Sequence, residues 1–68
     1  MNNVKAFQWC VKNEITIYPI ATGKQSMPIE INYKGTKHRT PVEYKIKDIY
    51  GQIEIFYQYY YDKHHGTN

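Results

Sequence analysis

Between Thr40 and Gly66 the chain carries two incompatible periodicities, and the choice between them sets the fold class. Read as a helix, Thr40-Pro41-Val42-Glu43 forms a capping box. The Thr40 hydroxyl accepts from the Glu43 amide, Glu43 reaches back, and Pro41 takes the tolerated first position. Lys63, His64 and His65 fall in the last turn, where cations favour the dipole, and Gly66 supplies a left-handed terminator. Val42, Ile46, Ile49, Tyr50, Ile53, Phe56, Tyr57 and Tyr60 then share one stripe, Lys47, Glu54, Gln58 and Asp62 lie opposite, and Tyr44, Ile55, Tyr59 and Tyr61 fall off the stripe.

Read as strands, Val42, Tyr44 and Ile46 alternate with Glu43, Lys45 and Lys47. Ile53, Ile55, Tyr57, Tyr59 and Tyr61 alternate after a turn near Gly51. Propensity favours this version: the segment lacks Leu and Ala, Ile and Tyr are each about 0.5 kcal/mol poorer than Ala in a helix, and Gly about 1 kcal/mol. The strand version, however, turns Phe56 and Tyr60 outward and explains neither terminus. A helix from Pro41 to His65 is therefore expected, with a small all-β barrel or roll as the alternative.

Upstream, the period is two. Val4 to Lys12 alternates Phe7, Trp9 and Val11 against Ala6, Gln8 and Cys10, which predicts a first strand. Lys12-Asn13-Glu14 would be a connector with Asn13 left-handed, and Ile15 and Ile17 would resume the apolar side, so that Val11 faces Ile15 and Trp9 faces Ile17. Residues Ala21 to Met27 read as a loop. Ile29, Ile31 and Tyr33 then point inward, Lys34-Gly35 makes a two-residue turn, and Asn32 falls opposite Lys37 and Glu30 opposite Arg39, an exposed ion pair contributing under about 1 kcal/mol. The expected fold is α+β: a three- to four-stranded antiparallel sheet over residues 4–40, with one C-terminal helix packed across it.

Sixty-eight residues leave room for one domain, 1–68, with 66–68 frayed. At this size burial barely exceeds the ordering cost, so stabilisation by a partner or by homodimerisation is an expectation. One cysteine, Cys10, excludes an intrachain disulfide, and residues 1–11 hold no apolar run long enough for a signal peptide or membrane span. A cytoplasmic protein is expected, with no membrane contact. Ile, Lys, Asn and Tyr make up 30 of the 68 residues, the usage of an AT-rich genome such as a phage or an AT-rich bacterium.

No catalytic or metal constellation is legible. Adjacent histidines on a helix, His64 and His65, point about 100° apart and do not chelate as an i, i+4 pair does. His38 is similarly unremarkable, Cys10 has no histidine or acid close in sequence, the carboxylates each have a local role, and no Gly-rich phosphate loop is present. Neither an enzyme nor a cofactor is expected.

Two binding functions remain. The sheet face left uncovered would collect Gln8, Lys12, Thr16, Tyr18, Asn32, Lys34, Lys37 and Arg39, and the net charge is +3. Lys12, Lys34, Lys37 and Arg39 would neutralise phosphates, Asn32 would bond to base edges and Tyr18 would stack, which predicts a nucleic-acid-binding face. A sheet followed by one helix resembles the arm-type DNA-binding domains of tyrosine integrases and is similar to the strand and helix units of some single-strand binders. This likeness is architectural and transfers no residue. The second expectation is a protein-binding modulator or inhibitor acting through Tyr44, Ile55, Tyr59 and Tyr61, because Tyr offers large contact area at small entropic cost.

Overall fold

The structure, a computed structural model, describes residues 4–66. The order of elements is α1 (Val4–Lys12), β1 (Ile15–Pro19), β2 (Ser26–Met27), β3 (Ile29–Tyr33), β4 (Thr36–Arg39), β5 (Tyr44–Lys45) and α2 (Ile46–His65). The fold is α+β. An antiparallel sheet runs β1-β3-β4, β2 and β5 form a separate two-stranded sheet, and no barrel closes.

The first expected strand is a helix, and its hairpin with β1 does not exist. The sequence alternates, but Ala6 and Cys10 also stand i, i+4 apart, and it is these two small residues that are buried. Phe7 and Val11, expected inside, stay exposed on the flank of α1, and Trp9 is half-buried. The helix is closed by Asn13, whose Nδ2 donates to the Trp9 carbonyl at 2.8 Å while its own N–H reaches the Trp9 and Cys10 carbonyls. Glu14 at φ 65°, and not Asn13, takes the left-handed conformation that turns the chain into β1.

The β3–β4 hairpin follows the predicted register, with Glu30 opposite Arg39 and Asn32 opposite Lys37. Lys34 (φ 51°) and Gly35 (φ 93°) supply the two left-handed turn residues. The preceding loop is shorter than expected because Ser26 and Met27 pair with Lys45 and Tyr44.

The C-terminal helix begins at Ile46, five residues later than expected, because the capping-box residues hold other partners. Thr40 Oγ1 accepts from the Ile29 N–H at 3.0 Å and donates to the Val42 carbonyl at 2.8 Å, while Glu43 Oε1 accepts from Ser26 Oγ at 2.9 Å. They tie the two sheets together, and Lys45 at the N-cap makes no side-chain cap. The Ile46 N–H donates instead to the Gln25 carbonyl. The other end matches expectation: Gly66 is left-handed and its N–H reaches the Asp62 and Lys63 carbonyls. Of the frayed end expected at 66–68, Gly66 is held as this cap, and residues 67 and 68 lie outside the described residues.

Both helices pack against the sheet's inner side. Ile15, Ile17, Ile29 and Ile31 meet Cys10, Ile49, Ile53 and Tyr57 in one core, with Trp9, Met27, Tyr33, Tyr44, Phe56 and Tyr60 half-buried around it. Of the expected helical stripe, Val42, Ile46 and Tyr50 are exposed. A helix ahead of the sheet also departs from the integrase-like order of sheet followed by helix.

Candidate functional site

Alternation in the strands leaves Thr16, Tyr18, Glu30, Asn32, Lys37 and Arg39 on the side of the sheet away from the helices. The expected outer face therefore exists, but its electrostatics centre on a carboxylate. Tyr18 Oη donates to Glu30 Oε2 at 2.6 Å and Arg39 Nη2 to Glu30 Oε1 at 3.4 Å. The Tyr18 hydrogen bond holds the Glu30 carboxyl below its usual range; partial burial opposes this, and Arg39 and Lys37 add to the lowering. The same bond pushes the Tyr18 hydroxyl upward, with help from burial and the Glu30 charge.

The other expected nucleic-acid residues are spread out. Asn32 Oδ1 accepts the Gly35 N–H at 3.1 Å, which commits it to the turn. Lys34 Nζ donates to the Asn13 carbonyl at 3.3 Å and lies 6.0 Å from the Tyr33 ring centre. Gln8 and Lys12 belong to α1, so they do not join the sheet face at all.

The four expected interface residues divide into two pairs. Ile55 and Tyr59 stand i, i+4 apart and exposed on α2, with Lys63 Nζ 5.8 Å from the Tyr59 ring centre. Tyr44 sits on β5 and packs against the core, and Tyr61 meets Trp9 edge to face at 5.8 Å.

The two edges of the sheet differ more sharply than its faces. The Lys34 N–H bonds the Glu14 carbonyl and the Ile20 N–H the Pro28 carbonyl, so Ile15, Ile17 and Pro19 direct their backbone groups away from β3. That edge is covered. Tyr57 Oη accepts the Ile17 N–H at 2.9 Å and donates to the Ile17 carbonyl at 3.2 Å, imitating a paired strand, and Pro19 has no N–H to offer. Burial pushes the Tyr57 hydroxyl up, so it stays protonated and able to fill both roles.

The β4 edge has no such cover. The Thr40 N–H bonds the Ile29 carbonyl, which makes Ile31/His38 and Tyr33/Thr36 the bonded pairs and turns the backbone groups of Lys37 and Arg39 outward. All four β4 residues are exposed, and among the described residues no strand lies beyond them. His38, opposite Ile31, is on the helix side, where it joins Tyr33, Tyr60 and Lys63 around an open cleft of about 270 Å³. Tyr33 Oη and His64 Nε2 are 2.7 Å apart at its rim. From the sequence alone His38 is unremarkable. The signal that places it was already available in the hairpin register.

Among the described residues no group of three or more His, Cys, Asp or Glu is placed to hold a metal ion. His64 turns to Tyr33, and His65 Nδ1 lies 2.8 Å from the Tyr61 carbonyl. Cys10 is buried with its thiol donating to the Tyr57 carbonyl at 3.5 Å, and burial pushes its pKa up. Among the described residues no helix is long and apolar enough to cross a membrane. The chain matches no family model, no curated protein and no solved structure.

Proposed function

We propose that this protein is a protein-binding module that captures an extended segment of a partner by adding it as a fourth strand beside β4. The observation that carries the reading is the asymmetry of the edges: Tyr57 occupies the backbone of β1, whereas Lys37 and Arg39 offer N–H and C=O groups to solvent. An open edge is a template for pairing, and main-chain bonds supply affinity without requiring a deep pocket. Lys37 and Arg39 on that edge disfavour self-pairing, since a second β4 would bring like charges opposite each other.

A proline test separates the backbone from the side chain. Lys37→Pro removes an outward N–H without touching the ladder to β3, while Lys37→Thr removes the same charge and keeps the N–H. Random twelve-residue peptides displayed in a library and panned on the full chain are expected to be retained by wild type and Lys37→Thr and lost by Lys37→Pro. Equal retention by both variants, or no peptide selected at all, rejects strand addition.

Nucleic-acid binding through Lys34, Lys37 and Arg39 is the second reading, supported by the clustering of these cations on one hairpin. Two of the three are already engaged, Arg39 by Glu30 and Lys34 by the Asn13 carbonyl, which weighs against it. It would show as oligonucleotide binding that weakens steeply with added salt.

A further inference from the structure

Strand addition fixes more than a backbone register. On the outer edge of β4, Lys37 and Arg39 are the residues that exchange hydrogen bonds with an added strand. His38 therefore faces the incoming residue of a non-bonded pair, where side chains approach most closely. That residue points to the helix side of the sheet, as His38 does, and the cleft lined by Tyr33, His38, Tyr60 and Lys63 lies there.

We propose that the captured segment is acidic, and that the residue facing His38 places a carboxylate in this cleft, against Lys63 and the hydroxyl-bearing rings of Tyr33 and Tyr60. The inference rests on strand addition at β4. Its support is charge complementarity on both sides of the added strand. Lys63 meets the inward side chain, while Lys37, and the part of Arg39 not engaged by Glu30, meet the outward ones. The cleft's donors suit a carboxylate: Lys63 carries three N–H groups, and an imidazole offers at least one. Burial, reinforced by the neighbouring Tyr59 and Tyr33, pushes the Tyr60 hydroxyl up, so at neutral pH it remains a donor. Lys63 in the cleft and Lys37 on the edge disfavour a second copy's β4, which brings Lys37 and Arg39 of its own on either side of its inward histidine. A nucleic-acid strand lacks the alternating N–H and C=O groups that Lys37 and Arg39 call for.

The test uses peptides selected on the wild-type chain in the experiment above. They are expected to carry Asp or Glu at one fixed position, enriched several-fold over the input library. Replacing that residue by Gln or Asn should weaken binding to wild type about three- to fivefold, and should have no further effect on Lys63→Ala, as expected for one exposed charge pair. Lys63→Arg should retain the preference. Selected peptides without acidic enrichment, or an amide substitution that costs as much on Lys63→Ala as on wild type, overturn the acidic segment and leave strand addition standing. Failure to select any peptide overturns both, and retention of a single-stranded oligonucleotide alone would assign the edge to nucleic acid.

Discussion

Removing one oxygen atom, in Tyr57→Phe, tests how the β1 edge is held. The ring is 3 % exposed and meets Phe7 edge to face at 5.1 Å, and these packing contacts survive in phenylalanine. What is lost is the pair of bonds at 2.9 and 3.2 Å to the backbone of Ile17, a residue only 5 % exposed. Two buried backbone groups are then left without a partner at about 1–3 kcal/mol each, partly offset because the hydroxyl itself no longer needs burying; the expected net loss is about 2–4 kcal/mol. Against a total stability of about 3–10 kcal/mol for a chain of this length, the variant should be marginal. At about 4–8 °C per kcal/mol, its Tm should fall by about 8–32 °C. Equilibrium urea unfolding measures the loss, and amide exchange at Ile17 localises it. A loss under about 0.5 kcal/mol, with the Ile17 amide as protected as in wild type, would refute the view that the hydroxyl closes this edge.

Two further predictions follow from the hairpin. Lys34 pays for its left-handed conformation, so Lys34→Asn beside Gly35 should raise stability by about 0.5–1 kcal/mol, measured as a higher urea midpoint at unchanged m; no gain would mean that the Lys34 contact to the Asn13 carbonyl matters more than backbone strain. The Glu30 carboxyl is held below its ordinary value in the folded chain, so its contribution is present above about pH 4.3 and drains away as pH falls through the folded value. Comparing Tm for wild type and Glu30→Gln from pH 6 down to pH 2 should show a gap that closes with acid, and a gap constant across that range would dismiss the Tyr18–Glu30–Arg39 arrangement as stabilising.

The hairpin is the part most fully written in the sequence. Ile29, Ile31 and Tyr33 alternate, Lys34-Gly35 marks the turn, and the register follows because a one-residue slip would turn every isoleucine to solvent. Gly66 likewise marks the end of α2, since a left-handed terminator needs no tertiary partner. The same register placed Lys37 and Arg39 on the outer face, where they were expected as phosphate contacts; that their backbone groups form an open edge was not legible. Nor was the cleft, because Lys63 and Tyr60 reach His38 only once α2 lies across the sheet.

The same limit governs the two segments whose expected structure differs from the one observed. Val4 to Lys12 satisfies a period of two and a period of 3.6 at once, and nine residues carry too little local preference to choose. Burial of Ala6 and Cys10, the latter against α2 and β1, decides for the helix. Thr40 and Glu43 spell a capping box, yet they bind Ile29 and Ser26, residues 11 and 17 positions away, and push the helix start to Ile46. Local chemistry determined turns, register and a terminator; competition for partners distant in sequence decided which helix forms, where the other begins, and which sheet edge is left open.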